Sequence, residues 1–215
     1  MEYAVRHADS FPMLEFGLQQ GEKIVAKPEA VVAISSALDV RDVLRGGFFK
    51  GAVHRALTGE SFFFREITAV RGEGRALLAP DTPGGLAPVT LSGGHGLMVR
   101  KEGFLACTSG ILVENAVKGM LRGLFSSPGF SLLRLTGQGV AFVCGWGAIH
   151  EVTLKEGEDL AMDHGHLTAW TEGMRFTVEK AGRRWIAGPA QGDKLLCRFR
   201  GPGTLLAQTR RKPGR

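Results

Sequence analysis

The amino-acid sequence predicts an antiparallel all-β fold, and three observations lead to this prediction. Glycine is abundant, at 31 of 215 residues, without a collagen-like or low-complexity period, which is typical of turns between short strands. No long segment has a convincing amphipathic helical period. Most informative, three segments of the chain align with one another, which indicates a unit repeated along the sequence.

The first half of the unit is a block that aligns without a gap. It is LQQGEKIVAKPEAVVAISSA from Leu18, LSGGHGLMVRKEGFLACTSG from Leu91 and LKEGEDLAMDHGHLTAWTEG from Leu154. The positions that agree at the same offsets, 73 and then 63 residues, are Leu18, Leu91 and Leu154, then Gly21, Gly94 and Gly157, then Ala33, Ala106 and Ala169. Chance does not readily produce such a match, so we interpret the three segments as internal repeats.

The second half of the unit follows a connection of variable length. It is FFREITAVRGEGRALL from Phe63, SLLRLTGQGVAFV from Ser131 and LLCRFRGPGTLLA from Leu195. In the three copies Gly74, Gly139 and Gly203 each open a short apolar run. Each unit therefore predicts strand, turn, strand, Gly-rich connection, strand, Gly turn, strand. We predict one compact chain with repeats at 15–80, 88–146 and 151–209 and a basic tail at 210–215.

With these repeats, the sequence resembles the AIM24 family of the mitochondrial biogenesis protein and its bacterial homologues. The resemblance is carried in order by GGFFKG, GESFFF, ALLAP, GFLACTSG, GAIHEV, GHLTAW and CRFRGPGTLLAQTR. It implies a β-sandwich related to the double-stranded β-helix and to the tryptophan RNA-binding attenuation protein (TRAP), assembling into rings or trimers. It implies no reaction, although mitochondrial members are associated with inner-membrane organisation. No motif matches the attenuation protein's tryptophan or RNA contacts, so these are not carried over.

The net charge of +6 is concentrated at the end of the chain. Four of the last six residues are basic, which leaves 23 basic and 21 acidic residues elsewhere. We interpret this end as a solvated, disordered tail rather than a phosphate-binding site. Three cysteines among apolar neighbours read as buried thiols in a reducing compartment: Cys107, Cys144 and Cys197. With no signal peptide and no apolar stretch long enough to span a bilayer, we predict a cytoplasmic protein whose only membrane contact would be peripheral.

The pair His164 and His166 is the sharpest candidate for chemistry. Two histidines separated by one residue on a strand point to the same face and can chelate a metal, as in a cupin-like site. In the other repeats, however, the aligned positions fall in a turn between two strands, so we predict a turn, with the pair as weak metal candidates. His54, His95 and His150 lie in separate connections, without a nearby Ser or Cys in a recognisable nucleophile setting. We therefore predict no catalytic residue, no cofactor, no small-molecule substrate and no enzyme.

The connection LRGGFFKGAVHRALTGESFFF is the longest of the three and leads into an apolar strand. We predict its Phe triplet as a core or interface strand. The candidates for binding or subunit contact are Phe48, Phe49, Lys50, Phe62, Phe63, Phe64 and Arg65. Arg65 aligns with apolar positions, which requires either a carboxylate partner or subunit contact, or a one-residue bulge that turns it outward.

These observations predict a non-enzymatic, homo-oligomeric scaffold or binding protein, a trimer or ring whose partner is itself. One alternative is binding of RNA or other nucleic acid through basic residues of the first connection and the tail. Those residues are Arg45, Arg55, Arg210, Arg211 and Lys212. A second alternative is a peripheral membrane-associated organiser that inserts Phe48 and Phe49 beside Lys50.

Overall fold

The computed structural model describes residues 1–44, 63–116, 131–180 and 195–213. These residues form eighteen β-strands and two short 3-10 turns, so the predicted all-β class is confirmed. Strands β1 to β7 are Glu2–Arg6, Met13–Leu18, Lys23–Ala26, Val31–Ile34, Leu38–Leu44, Phe63–Ala69 and Gly74–Leu78. Strands β8 to β12 are Leu86–Ser92, Leu97–Arg100, Phe104–Thr108, Ile111–Asn115 and Leu132–Cys144. Strands β13 to β18 are Ile149–Leu154, Asp159–Asp163, Leu167–Thr171, Arg175–Lys180, Leu195–Arg200 and Gly203–Gln208.

The strands pair antiparallel and stack as four layers. Layer 1 is a four-stranded sheet in the order β1-β2-β7-β4, and layer 4 is a three-stranded sheet in the order β14-β17-β16. Between them lies an eleven-stranded sheet that β12 divides. Layer 2 contains β8, the C-terminal half of β12, β10, β3, β6 and β5. Layer 3 contains β11, the N-terminal half of β12, β9, β15, β18 and β13.

Strand β12 corrects one sequence prediction. A Gly turn was expected to separate two strands in the second repeat, but Leu132–Cys144 is continuous. Gly137 and Gly139, with φ of 104° and 146°, let the strand change layers without ending it. A Cβ on Gly137 would also clash with the carbonyl oxygen of Gly110, so glycine is required there. One strand therefore belongs to both inner layers.

Three hydrophobic cores separate the four layers. Core 1, between layers 1 and 2, is built around Phe16 and Phe142, and core 3, between layers 3 and 4, around Trp170 and Phe199. Core 2 lies between the two inner layers and contains Phe104. Burial follows this arrangement, because β2 alternates partly and fully buried residues whereas β10 is buried on both faces. The three cysteines are buried, as predicted.

Strand pairings recur at the offsets seen in the sequence. The pairs β3–β6, β9–β12 and β14–β17 correspond, and so do β4–β7, β10–β12 and β15–β18. Each of the latter three has a register shift that begins at Val31, Phe104 and Leu167, again 73 and 63 residues apart. This recurrence is consistent with the predicted repeats, while their boundaries and the relation to the attenuation protein stay predictions.

No helix in the described part of the chain has the length and hydropathy required to cross a membrane.

Candidate functional site

The two histidines of the proposed metal motif lie in a turn at residues 164–166, between β14 and β15, as the repeats predicted. The Nδ1 of His164 is 3.1 Å from the Leu195 carbonyl oxygen, and that of His166 is 2.8 Å from the Gln208 carbonyl oxygen. A carbonyl oxygen only accepts, so each ring donates its Nδ1–H. Burial lowers the pKa of His164.

These hydrogen bonds tie the turn to two layers, since Leu195 begins β17 in layer 4 and Gln208 ends β18 in layer 3. Among residues 1–44, 63–116, 131–180 and 195–213, no group of three or more His, Cys, Asp and Glu side chains is arranged to hold a metal. The geometry assigns the histidines a role in anchoring the turn.

The Phe triplet is only partly described. Phe64 is 4% exposed and its ring meets that of Phe104 edge-on, with centroids 5.5 Å apart. Phe63 precedes it on the strand and is 47% exposed. The other candidates of this connection lie outside the described residues, namely Arg45, Phe48, Phe49, Lys50, Arg55 and Phe62. Phe64 is thus a core residue, and Phe63 is a surface aromatic beside it.

Arg65 has the carboxylate partner that one of its two interpretations required. It lies directly opposite Asp42 on β5, with Nε 3.6 Å from the Asp42 Oδ1. The described pairs of β6 with β3 and β5 run without a register shift, so the alternative of a bulge is wrong. The side chain is 39% exposed, and the ion pair is a surface one.

The basic tail is held against the body as far as Lys212. Arg211 forms an ion pair with Asp163, and the Nζ of Lys212 is 3.0 Å from the Glu102 Oε1. The backbone N–H of Arg210 donates to the Trp146 carbonyl at 3.1 Å. These three residues are exposed, as a solvated tail predicts, but the prediction of disorder is wrong for them, because carboxylates and a backbone carbonyl hold them in place.

A cleft of about 980 Å³ runs beside this tail. Its walls are the loop between β1 and β2, residues 83–87, residues 146–149 and the tail. Phe11, 72% exposed, and Trp146 supply aromatic surface, while Arg210 and Arg211 supply positive charge. This cleft combines the two groups that a stacked, anionic ligand requires.

Within the described residues, the strands at the ends of each layer have an unpaired outer edge, among them β1 and β4 in layer 1 and β14 and β16 in layer 4. Strand β4 reads VVAI, with Val32 and Ile34 55% and 39% exposed. An exposed apolar edge without Lys or Pro is unprotected, because its free N–H and C=O groups can template a further strand.

The comparison with known families decides where the chain belongs. The family described as mitochondrial biogenesis AIM24 matches residues 3–210. The chain belongs to the AIM24 family. An uncharacterized protein of Streptococcus pyogenes serotype M6 is 24% identical to it over 97% of the chain and 86% of the relative. A crystal structure of a Streptococcus pyogenes protein, from a structural genomics programme, aligns with a TM-score of 0.74 and 20% identity, over 98% of this chain and 94% of that one.

The comparison with these relatives supports the fold of the AIM24-family chain and indicates no activity for it. Sequence reasoning missed the open edges of β4 and β14 in this AIM24-family protein, although one signal was present. Val31–Ile34 is an apolar strand without a charged residue. The sequence does not indicate which of the three aligned strands, β4, β10 or β15, lacks a neighbouring strand.

Proposed function

We propose that the chain is a non-enzymatic scaffold or binding protein of the AIM24 type that works as a homo-oligomer, a ring or trimer. The observation that carries the proposal is that, within the described residues, β4 of layer 1 and β14 of layer 4 each have an unpaired edge. A strand edge exposes unpaired backbone groups, and natural proteins either protect such an edge or pair it. Two open edges on opposite outer layers suit head-to-tail association.

The titratable groups support a structural role. Burial raises the pKa of Cys144 to about 11 and that of Cys197 to about 12, which keeps both thiols protonated at neutral pH and poor as nucleophiles. Arg134, whose Nε is 2.5 Å from Glu172, and Arg198, 2.9 Å from Glu179, are used in ion pairs within the sheets. Both cations therefore have a carboxylate partner on their own layer.

Size-exclusion chromatography with light scattering tests the proposal at micromolar concentration. We expect a mass that is a multiple, threefold or higher, of the 23.1 kDa chain. A mass that remains at one chain across a hundredfold dilution series would contradict it.

The cleft favours a second function, nucleic-acid binding, through Arg210 and Arg211 beside Trp146 and Phe11. Arg211 is already ion-paired with Asp163, so Arg210 is the cation better placed to meet a phosphate. Base stacking on an aromatic ring contributes ~1–3 kcal/mol per base, and phosphate contacts make binding salt-dependent.

Fluorescence anisotropy with a labelled single-stranded RNA, in ~50 and ~200 mM salt, tests this second function. We expect binding that weakens steeply with salt and is lost in Arg210→Ala and Trp146→Ala. Arg75→Ala is the matched control, since that side chain is 78% exposed and lies away from the cleft lining. Absence of binding at low salt would eliminate this function.

The membrane alternative depends on Phe48, Phe49 and Lys50, which lie outside the described residues, and it stays a prediction. Lipid co-sedimentation that does not change when both phenylalanines become serine would contradict it.

A further inference from the structure

Two junctions inside the chain show how one segment of this protein joins the next. In layer 2, β3 pairs with β10, and Ala26 lies opposite Ala106. In layer 3, β9 pairs with β15, and Val99 lies opposite Ala169. The two junctions use positions related by the sequence offsets of 73 and 63 residues, so they have the same register. Each inner layer is thus three strands of one segment joined to three strands of the segment before it.

The same sequence offsets identify a third junction, whose two strands are not paired with each other. At those offsets β4 corresponds to β10 and β15, and β14 corresponds to β3 and β9. In this structure β4 and β14 do not pair with each other, and they lie in the two outer layers of the stack. Layers 1 and 4 are therefore each lacking the strands that complete layers 2 and 3.

Burial shows what the missing neighbours do. Val32, 55% exposed in β4, corresponds to Leu105, which is 1% exposed, and to Thr168, which is 2% exposed. Ile34, 39% exposed, corresponds to Cys107 and Trp170, which are 0% and 2% exposed. The residues of the open edge are apolar, like those the paired edges bury.

We propose that β4 of one copy pairs antiparallel with β14 of a second copy, with Ala33 opposite Met162 and Ile34 opposite Ala161. Layer 1 of one copy and layer 4 of the next then form one continuous layer, as the inner layers already do within the chain. The interface rests on the proposed homo-oligomer and names the surface that builds it. It is heterologous, so it produces a closed ring where the rotation between copies closes.

The occupant is a second copy because the chain itself shows that these strand types fit together. Alanine occupies one side of both internal junctions, at Ala106 and Ala169, and stands again at Ala33. The side chain opposite is Ala26 in one junction and Val99 in the other, and Met162 takes that place in the third. A small residue on one strand leaves room for a larger one on its partner.

The hydrogen-bond pattern of the internal junction fixes the geometry expected between copies. The Lys27 N–H donates to the Leu105 carbonyl at 2.8 Å, so the next pair, Ala26 and Ala106, is a non-hydrogen-bonded one. By the same register the Asp163 N–H donates to the Val32 carbonyl of the second copy. Ala33 and Met162 then face each other with Cα atoms ~4.5 Å apart, a separation that a disulfide spans.

Disulfide cross-linking of two single variants tests the register. Ala33→Cys and Met162→Cys proteins are mixed, oxidised with oxidised glutathione and separated by non-reducing electrophoresis. We expect a covalent dimer from the mixture and only monomer from either protein alone, because each interface takes one residue from each copy. The double variant is expected to give a ladder or a closed covalent ring.

Ile34→Cys mixed with Met162→Cys is the matched control. It lies one residue away on the same exposed strand, but its side chain points to the other face of the sheet and should not cross-link. The wild-type protein, whose three cysteines are buried, controls for adventitious oxidation.

Light scattering on the same unoxidised variants separates the two proposals. An oligomer that gives no Ala33–Met162 cross-link, or cross-links equally at Ile34, would overturn this interface and leave the proposed function standing. A monomer would overturn both.

A blocking variant supplies an independent measurement. Val32→Lys places a charge on the open edge, and because the wild-type residue is exposed the chain should fold unchanged. We expect its mass to fall to that of one chain, 23.1 kDa. Leu112→Lys, at a 50% exposed position of β11, should retain the oligomer. An unchanged mass in Val32→Lys, with circular dichroism showing a folded chain, would contradict the proposal.

Discussion

Ala33 in the outer layer 1 and Ala106 in the inner layer 2 occupy corresponding positions of two aligned strands, yet their surroundings are opposite. Ala106 is 0% exposed because β3 pairs with its strand and its side chain packs in core 1, whereas Ala33 is exposed at an unpaired edge. Residue type and local conformation are the same. The neighbouring strand therefore decides whether such a residue stabilises the fold or is available for assembly. The position of the residue in the sequence does not reveal that neighbour.

Glutamate at the two positions should give the largest contrast. Ala106→Glu buries an unpaired carboxylate and is expected to cost more than ~4 kcal/mol, enough to prevent folding. Ala33→Glu should change the free energy of unfolding of the isolated chain by less than ~0.5 kcal/mol. Urea denaturation followed by circular dichroism measures both. Equal losses would mean that β4 is as covered as β10.

Adjacent phenylalanines sharpen the comparison within one strand. Phe64→Ala removes the ring that packs edge-on against Phe104 of the middle segment, and it should cost ~3–5 kcal/mol. Phe63→Ala, at a 47% exposed position, should cost less than ~1 kcal/mol. Thermal unfolding of the pair checks this. A large loss in Phe63→Ala, at a concentration where the chain is oligomeric, would indicate that the ring is buried between copies.

The turn at His164 distinguishes the third segment from the other two, in which 3-10 turns stand at Pro28–Ala30 and Lys101–Gly103. Burial lowers the pKa of His164 below its ordinary value of 6.5, and the charge of Arg100 lowers it further. The hydrogen bond to the Leu195 carbonyl raises the pKa and so opposes this shift. The Nδ1 of His164 lies 3.6 Å from the carboxylate of Asp163. The unfolded chain therefore binds the proton more tightly. Stability is fully present above pH ~6.5 and is lost as the pH falls toward the folded-state value.

Chemical denaturation of the wild type and of His164→Gln between pH 7.5 and 5, about the range in which histidine titrates, measures this loss of stability. The free energy of unfolding of His164→Gln should depend less on pH than that of the wild type. His150→Gln, at an exposed position, is the control and should follow the wild type. The same slope in all three proteins would show that other groups are responsible.

The smallest effect is expected at the surface pair on β5 and β6. Asp42→Asn removes the partner of Arg65, whose side chain is 39% exposed, and should cost ~0–1 kcal/mol. Chemical denaturation in low and high salt checks it, since a surface pair is weaker in salt. A loss above ~2 kcal/mol would show that Arg65 is buried in an assembled form.

The sequence predicted what local patterns determine. Turn glycines such as Gly21 and the spacing of apolar runs predicted the all-β class and four strands in each segment. The first and third segments have six, because the strand that begins each segment and the strand after the first pair were missed, β2 and β5 in the first segment. Strand β1 was not predicted, because Glu2–Arg6 has no aligned copy to reveal it. The continuity of β12 was also missed, since Gly139 is equally compatible with a turn and with a bent strand.

The candidate site was less accessible to sequence reasoning. The turn of His164 and His166 was predicted because aligned copies placed it between two strands. The open edges of β4 and β14 were not predicted, because strand pairing joins residues far apart in the chain. The sequences of the three aligned segments do not show which strands have a neighbour in the sheet. The contacts of Arg211 with Asp163 and of Lys212 with Glu102 were also missed, because the two partners of each pair lie far apart in the chain and no local sequence pattern connects them.

The continuity of β12 bears on how this chain unfolds. Its residues pair with β9 and β11 in one inner layer and with β8 and β10 in the other, so neither layer can melt while the strand remains in place for the other. Although three of its segments align in sequence, the protein should behave in calorimetry as one cooperative unit, with a single transition. A modular array would instead lose its segments one by one.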